Sequence, residues 1–361
     1  MKGLFRCVGH LIKKRIDYLV MKQRNLFKMF AKKLLFGLAL LIGDAAGFGQ
    51  SPGVRNGHNM VYYTSSDGII LFGGADEAKV YGDTWLFSNS KWKKITENGP
   101  SPRTFPCMDE ADNYILFFGG NAVLFGSDKN PVHYLDDTWI FRDGNWKKVE
   151  TKLYPTARAE AAMGYDPLRK KIVLFGGRMS GEKWVAGDTW EFDGSKWTQM
   201  EKQGPTSRSG ATLTYDPLLK HLVLFGGNPV IAKEKDYNGP MWSWDGNNWV
   251  QMSSAIPLVF NACVAYNTKE HFFLRFGGWN GSERLNETLT YKDKEWEKLA
   301  LEIAPPARNH SRMVYDPKNN AFILFGGHDG DNVFGDMWSF KHGKWTLLYA
   351  VGPRRRVENG H

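Results

Sequence analysis

Cysteine is nearly absent from this 361-residue chain, which holds only Cys7, Cys107 and Cys263. Cys107 and Cys263 stand far apart, so disulfides are not the framework, and buried free thiols are expected at both. Also missing are G-x-S-x-G, H-E-x-x-H, C-x-x-C and a glycine-rich loop leading into a helix. Their absence removes support for common hydrolase, zinc and nucleotide chemistry, and neither a metal nor another cofactor is expected. Net positive charge is scarce in the body of the chain. The net charge is +9, but residues 1–50 carry ten Lys and Arg against Asp17 and Asp44, which leaves the other 311 residues at +1. The basic excess belongs to the N-terminal segment, and no nucleic-acid partner is expected.

Long apolar runs are rare too. "LLFGLALLIG" is too short to span a bilayer comfortably. Lys32 and Lys33 precede it, and Ala45, Ala46, Gly47 and Gly49 follow it. A basic segment, a short apolar segment and a small-residue exit describe a secretory signal peptide. Residues 1–49 therefore read as a leader, and Met29 would make a conventional start within it. A secreted or periplasmic address follows, and a membrane enters only if the leader stays uncleaved. No cysteine stands directly after the apolar run, so no lipid anchor of the bacterial lipoprotein kind is expected.

What is abundant is glycine and aromatic surface: 39 Gly and 14 Trp. That composition favours short strands and tight turns over helices. Aligned on Gly73-Gly74, Gly119-Gly120, Gly176-Gly177, Gly226-Gly227, Gly277-Gly278 and Gly326-Gly327, the chain falls into six copies with intervals of 46 to 57 residues. Before each glycine pair stands an apolar strand such as "IILFGG" or "IVLFGG". After it comes a loop of variable length, then "DTWLF", "DTWIF", "DTWEF", "PMWSW", "ETLTY" or "DMWSF", a short turn, and a second tryptophan. Each copy thus supplies four strands: A after a Pro-x-x-Arg lead-in, B into the glycines, C with the first Trp and D with the second. Eleven of the fourteen tryptophans occupy the two paired positions and read as core. Truncating one is expected to cost about 3–5 kcal/mol.

This pattern resembles the kelch repeat family, whose blades carry the double glycine after strand B and a spaced aromatic pair. The resemblance covers residues 51 to about 349. It implies an all-β fold, a six-bladed β-propeller of four-stranded antiparallel blades, over residues 50–350, with 351–361 as a solvated tail. Stacking supports the same picture, since one sheet that is apolar on both faces is satisfied only between neighbours. Each blade runs in A to D order, so ring closure is expected to rest on packing between the first and last blades, unless residues 46–51 add a strand. A monomer is expected.

Antiparallel order puts the D–A and B–C connections on one rim. The variable loops lie there, together with Trp184 and Trp279, which suit stacking on sugars or anchoring a peptide, or else plugging a gap in their own blades. The same rim receives Arg55, Arg103, Arg158, Arg208 and Arg308. In kelch domains that bind acidic peptides an Arg at this place contacts ligand carboxylates, and the resemblance lends that role to these five. The competing reading pairs Arg55, Arg103, Arg158 and Arg308 with Asp83, Asp137, Asp188 and Asp336 of their own blades. Blade 4 has Arg208 but Pro240 and Met241 where its acid belongs, and blade 5 has Glu287 but Val259 where its Arg belongs. Unless they pair across the seam, Arg208 and Glu287 are the first candidates for ligand contact and the weak candidates for catalysis. His58 and His310 read as structural or solvated. The leading expectation is a secreted module binding a protein or carbohydrate ligand of anionic character. The alternatives are a sugar mutarotase resembling the kelch-type N-acetylneuraminate epimerase, with Arg208 and Glu287 as its residues, and a surface-assembly scaffold.

Overall fold

The computed structural model describes residues 50–123, 132–182, 184–229, 238–257, 259–350 and 354–355. The leader read at 1–49, with Cys7, lies outside the described residues. Six four-stranded antiparallel sheets follow one another along the chain. Blade 1 is built of strands A Asn59–Tyr63, B Gly68–Phe72, C Thr84–Ser88 and D Lys91–Thr96. The A strands of the next five blades are Cys107–Ala111, Ala162–Asp166, Arg208–Asp216, Cys263–Asn267 and Arg312–Asp316. Each A strand touches the next around the ring, and the sixth touches the first. The described residues hold one helical turn, a 3-10 turn at Thr64–Ser66.

The A–B turns show why "YDP" recurs. Asp166 accepts the backbone N–H of Leu168 and Arg169, Asp216 that of Leu218 and Leu219, and Asn267 serves blade 5 in the same way. A short side-chain acceptor substitutes for the backbone as the strand reverses.

The core is six seams rather than one centre. Six buried apolar clusters each join two neighbouring blades, and the cluster of Met60, Leu71 and Trp92 with Val314, Ile323 and Phe325 joins blade 1 to blade 6. The Phe before each glycine pair meets the strand D Trp of the following blade. Ring centroids lie 5.5 Å apart for Phe72–Trp146 and Phe118–Trp197, and 5.2 Å for Phe276–Trp345. Phe325–Trp92 repeats this across the closure at 5.5 Å. Ring closure is therefore ordinary packing between blades 1 and 6.

The glycine pairs follow from a close approach. A Cβ on the first glycine of any pair would lie no more than 2.6 Å from the backbone oxygen of the residue at the arginine position in the next blade. The second glycine donates its N–H to that oxygen, as Gly74 does to Arg103 and Gly327 to Arg55. All twelve have positive φ, which glycine adopts without strain. Cys107 and Cys263 are free and buried, and burial pushes both thiols up to about 11. Near the C-terminus, Arg354–Arg355 form a two-residue ladder with Asn332–Val333 of blade 6, so part of the segment read as a solvated tail adds a strand.

Candidate functional site

The five rim arginines are buried beneath the rim. Arg55 meets Asp83 at 2.9 Å, and Arg158 and Arg308 meet Asp188 and Asp336 at 2.6 Å; Arg103 pairs with Asp137. Nη1 of each of the five also donates to the carbonyl of the first glycine in its blade, at 2.9 to 3.1 Å. The second carboxylate oxygen accepts the indole N–H of the strand C Trp two residues on, at 2.7 Å in each of the four blades. The Thr of "DTW" faces the other way. Thr84, Thr138, Thr189 and Thr288 accept the indole N–H of the strand D Trp in the following blade, at 2.8 to 3.0 Å. Each letter of the motif thus has a bond: Asp ties its own blade to the arginine, and Thr ties it to the neighbour. Burial raises the carboxyls of Asp83, Asp137 and Asp188, but the arginine contacts outweigh it and hold them below the usual range.

The exceptions leave orphans. Arg208 bonds Thr206 and the Gly226 carbonyl and has no carboxylate partner among the described residues. Burial alone lowers its pKa to about 10. The indole nitrogen of Trp242, which the missing acid would serve, is buried without a partner. Met337 replaces the Thr in blade 6, and the nitrogen of Trp92 is the matching orphan. In blade 5 the cation comes from strand B: Arg275 contacts Glu287 at 3.4 Å, and Lys298 reaches the same carboxylate at 2.5 Å. Neither Glu287 contact involves Arg208, so no ion pair joins the two candidates across the seam.

Two residues beyond the arginine position, Gly57, Phe105, Glu160, Gly210, Asn261 and His310 all adopt φ between 52° and 65°. Their backbones are linked in a run around the axis, with Gly57 donating to His310, Phe105 to Gly57, Glu160 to Phe105, Gly210 to Glu160 and Asn261 to Gly210, at 2.6 to 3.2 Å, and the side chains of Asn261 and His310, 2.8 Å apart, complete the circle. This iris narrows the channel at the loop rim, where about 20 Å³ of space remains beneath it, room for roughly one water. His58 is sealed in the wall below, packed edge-on against Phe325 at 5.4 Å, with both ring nitrogens unbonded. Burial, then the charges of Arg55 and Arg312, depress its pKa strongly.

Around the iris stand the residues after each glycine pair: Ala75, Asn121, Arg178, Asn228, Trp279 and His328. Ala75, Arg178, Trp279 and His328 each make two isolated bridges, one to the residue after the arginine position and one within their own loop. This register aims positions that differ from blade to blade at one mouth. Arg178 meets Glu160 of the iris at 3.3 Å and lies over the Trp184 ring at 5.9 Å. Arg284 lies over the Trp279 ring at 4.8 Å. Trp184 is 43% exposed, whereas Trp279 is half-buried. His310 shares a 2.9 Å hydrogen bond with His328 and a 2.8 Å one with Asn261. Burial first, and then the neighbouring cations, depress His310 strongly. The sequence reading singled out both tryptophans. It missed Arg178, Arg284 and Glu160, whose only signal was their offset from the glycine pair or the arginine. Among the described residues no group of three or more His, Cys, Asp or Glu is placed to hold a metal ion. Comparison with protein families adds one finding: the KLHDC2/KLHL20/DRC7 Kelch-repeats domain matches residues 44–227 and 168–354.

Proposed function

Because the chain belongs to the kelch-repeat family of β-propellers, a type of protein-binding module, we propose that it binds a partner protein at the D–A/B–C rim through an acidic segment laid across the mouth. The observation that carries this reading is the pair of arginine–tryptophan stacks, Arg178 with Trp184 and Arg284 with Trp279, on blades 3 and 5 around one closed floor. A guanidinium beside an aromatic face attracts a carboxylate by its charge, and the ring offers the peptide an apolar shelf. The buried ring of Arg55, Arg103, Arg158 and Arg308 supports that surface from below through its Asp pairs.

The test uses a fluorescein-labelled hexaglutamate peptide and anisotropy at low salt. Saturable binding is expected, weakened at least tenfold in the Arg178→Gln/Arg284→Gln double variant, by about 0.7 kcal/mol or more per arginine. Equal binding by the double variant would overturn the proposal. The exposure of Trp184 also favours stacking on a glycan. Binding of a neutral oligosaccharide that Trp184→Ala abolishes and the arginine variant spares would replace the acidic-segment reading.

A further inference from the structure

Past the iris the channel widens toward the A–B turns into a cavity of about 550 Å³, lined by the A strands of all six blades. That size is ordinary for a small-molecule pocket. We infer that this lumen is a second binding site, for a small organic carboxylate, with the Arg312 guanidinium as its anchor.

Equivalent positions line the lumen in layers. Four residues beyond the arginine position stand Asn59, Cys107, Ala162, Thr212, Cys263 and Arg312, so the layer carries one charge. Arg312 lines both the main cavity and the constriction beneath the iris, which places it at the blind end. Its charge acts on His58, Cys107, Glu160, Cys263 and His310, groups from five of the six blades, as a guanidinium near the axis must. Among the described residues the Arg312 guanidinium has no ion pair and no hydrogen bond.

The carboxylates nearby are engaged. Asp109 accepts the backbone N–H of Glu110 at 2.9 Å and of Tyr165 at 2.7 Å. Glu110 accepts the N–H of Thr64 at 2.6 Å and its hydroxyl at 3.0 Å. Burial holds Asp109 up at about 7 and raises Glu110, which diminishes their competition for the cation. Glu160 is paired with Arg178 on the rim side. A planar guanidinium without a partner, in a partly desolvated dead end, matches a carboxylate bidentately.

The mouth sets the body of the ligand. Tyr62, Tyr165, Tyr215, Tyr266 and Tyr315, with Glu110, occupy one equivalent position in the six blades and line the open end. Tyr62, Tyr165 and Tyr315 donate their hydroxyls to Asp67, Asp112 and Asn320 of the A–B turns at 2.6 to 2.7 Å. Tyr266 and Tyr315 are buried in the seams, so the partly exposed rings of Tyr62, Tyr165 and Tyr215 are what the mouth offers, and they favour a flat apolar body behind the carboxylate.

Benzoate is the probe, titrated calorimetrically into the full chain, with benzamide as its neutral counterpart. One benzoate per chain is expected, with a Kd on the order of 0.1–1 mM, and no benzamide. Arg312→Gln should weaken benzoate at least tenfold, while Lys147→Gln, which removes an exposed charge from the outer strand of blade 2, should leave it unchanged. If Arg312→Gln fails to fold by near-UV circular dichroism, Thr212→Met, which fills the lumen without touching charge, should abolish binding instead. No benzoate binding by the native protein, or equal binding by the folded Arg312→Gln or Thr212→Met variant, would refute the site.

Discussion

Blade 4 permits a test in which a substitution should stabilise the protein, because the missing acid has left two identifiable orphans. Pro240→Asp places a carboxylate where Asp83, Asp137, Asp188 and Asp336 stand in their blades. Arg208 is 5% exposed, and its fall from 12.5 to about 10 corresponds to about 3 kcal/mol of penalty on the charged form. The new carboxylate must itself be desolvated, since its counterparts are only 11–26% exposed, and this offsets roughly half of the gain. An acceptor for the Trp242 indole adds about 1 kcal/mol, and losing proline's restraint on the unfolded chain removes about 0.5–1 kcal/mol. The net expectation is a gain of about 1–2 kcal/mol, read as a Tm increase of about 2–5 °C by calorimetry. The companion is Arg208→Met, in whose background Pro240→Asp should gain nothing and bury an unpaired acid. No gain in the native background, or a gain that survives Arg208→Met, would show that the orphans are not the pair the other blades suggest.

Two further outcomes are expected. Thr189→Val keeps shape but removes the acceptor of the Trp249 indole, 2.9 Å away. Chemical denaturation should show a loss of about 1–3 kcal/mol, as for any buried donor left unpaired. Stability should also fall with acid in two stages. His58 and His310 stay neutral in the folded protein while their unfolded counterparts protonate. The unfolded state then binds more protons, and stability drops as pH falls below about 6.5, by up to about 1.4 kcal/mol per pH unit per histidine. The second stage belongs to Asp83, Asp137 and Asp188, whose folded pKa values are depressed. Their contribution is full above about pH 4 and is lost as pH falls through the folded values. Urea melts between pH 8 and pH 3 would show both stages, and His58→Phe should flatten the first by about half.

The architecture could be read from the chain because it is local chemistry repeated. A glycine pair, a Phe before it, an Asp and a Thr before a Trp recur at nearly fixed spacing, and each makes the same contacts in every blade that carries it. The same repetition exposed the exceptions at Arg208, Pro240, Val259 and Glu287. The partners of these residues were not legible. That Glu287 is held by Arg275 and Lys298, while Arg208 keeps only neutral acceptors, depends on which strands share a seam and at what depth. The mouth was harder still, since Arg178, Glu160 and Arg284 carry no motif, and their convergence exists only once six blades close.

By itself the sequence determined the number of blades, their strand order, the rim that carries variation and the buried tryptophans, because spacing and residue type dictate hydrogen bonds within a sheet and between adjacent sheets. Only the tertiary structure decided that the arginine ring lies beneath the surface rather than on it. It alone drew six left-handed residues into a floor that divides the channel, and left the Arg312 guanidinium in the lumen without a partner among the described residues. Those are properties of a closed ring: they arise from residues about fifty positions apart, whose approach no local pattern encodes.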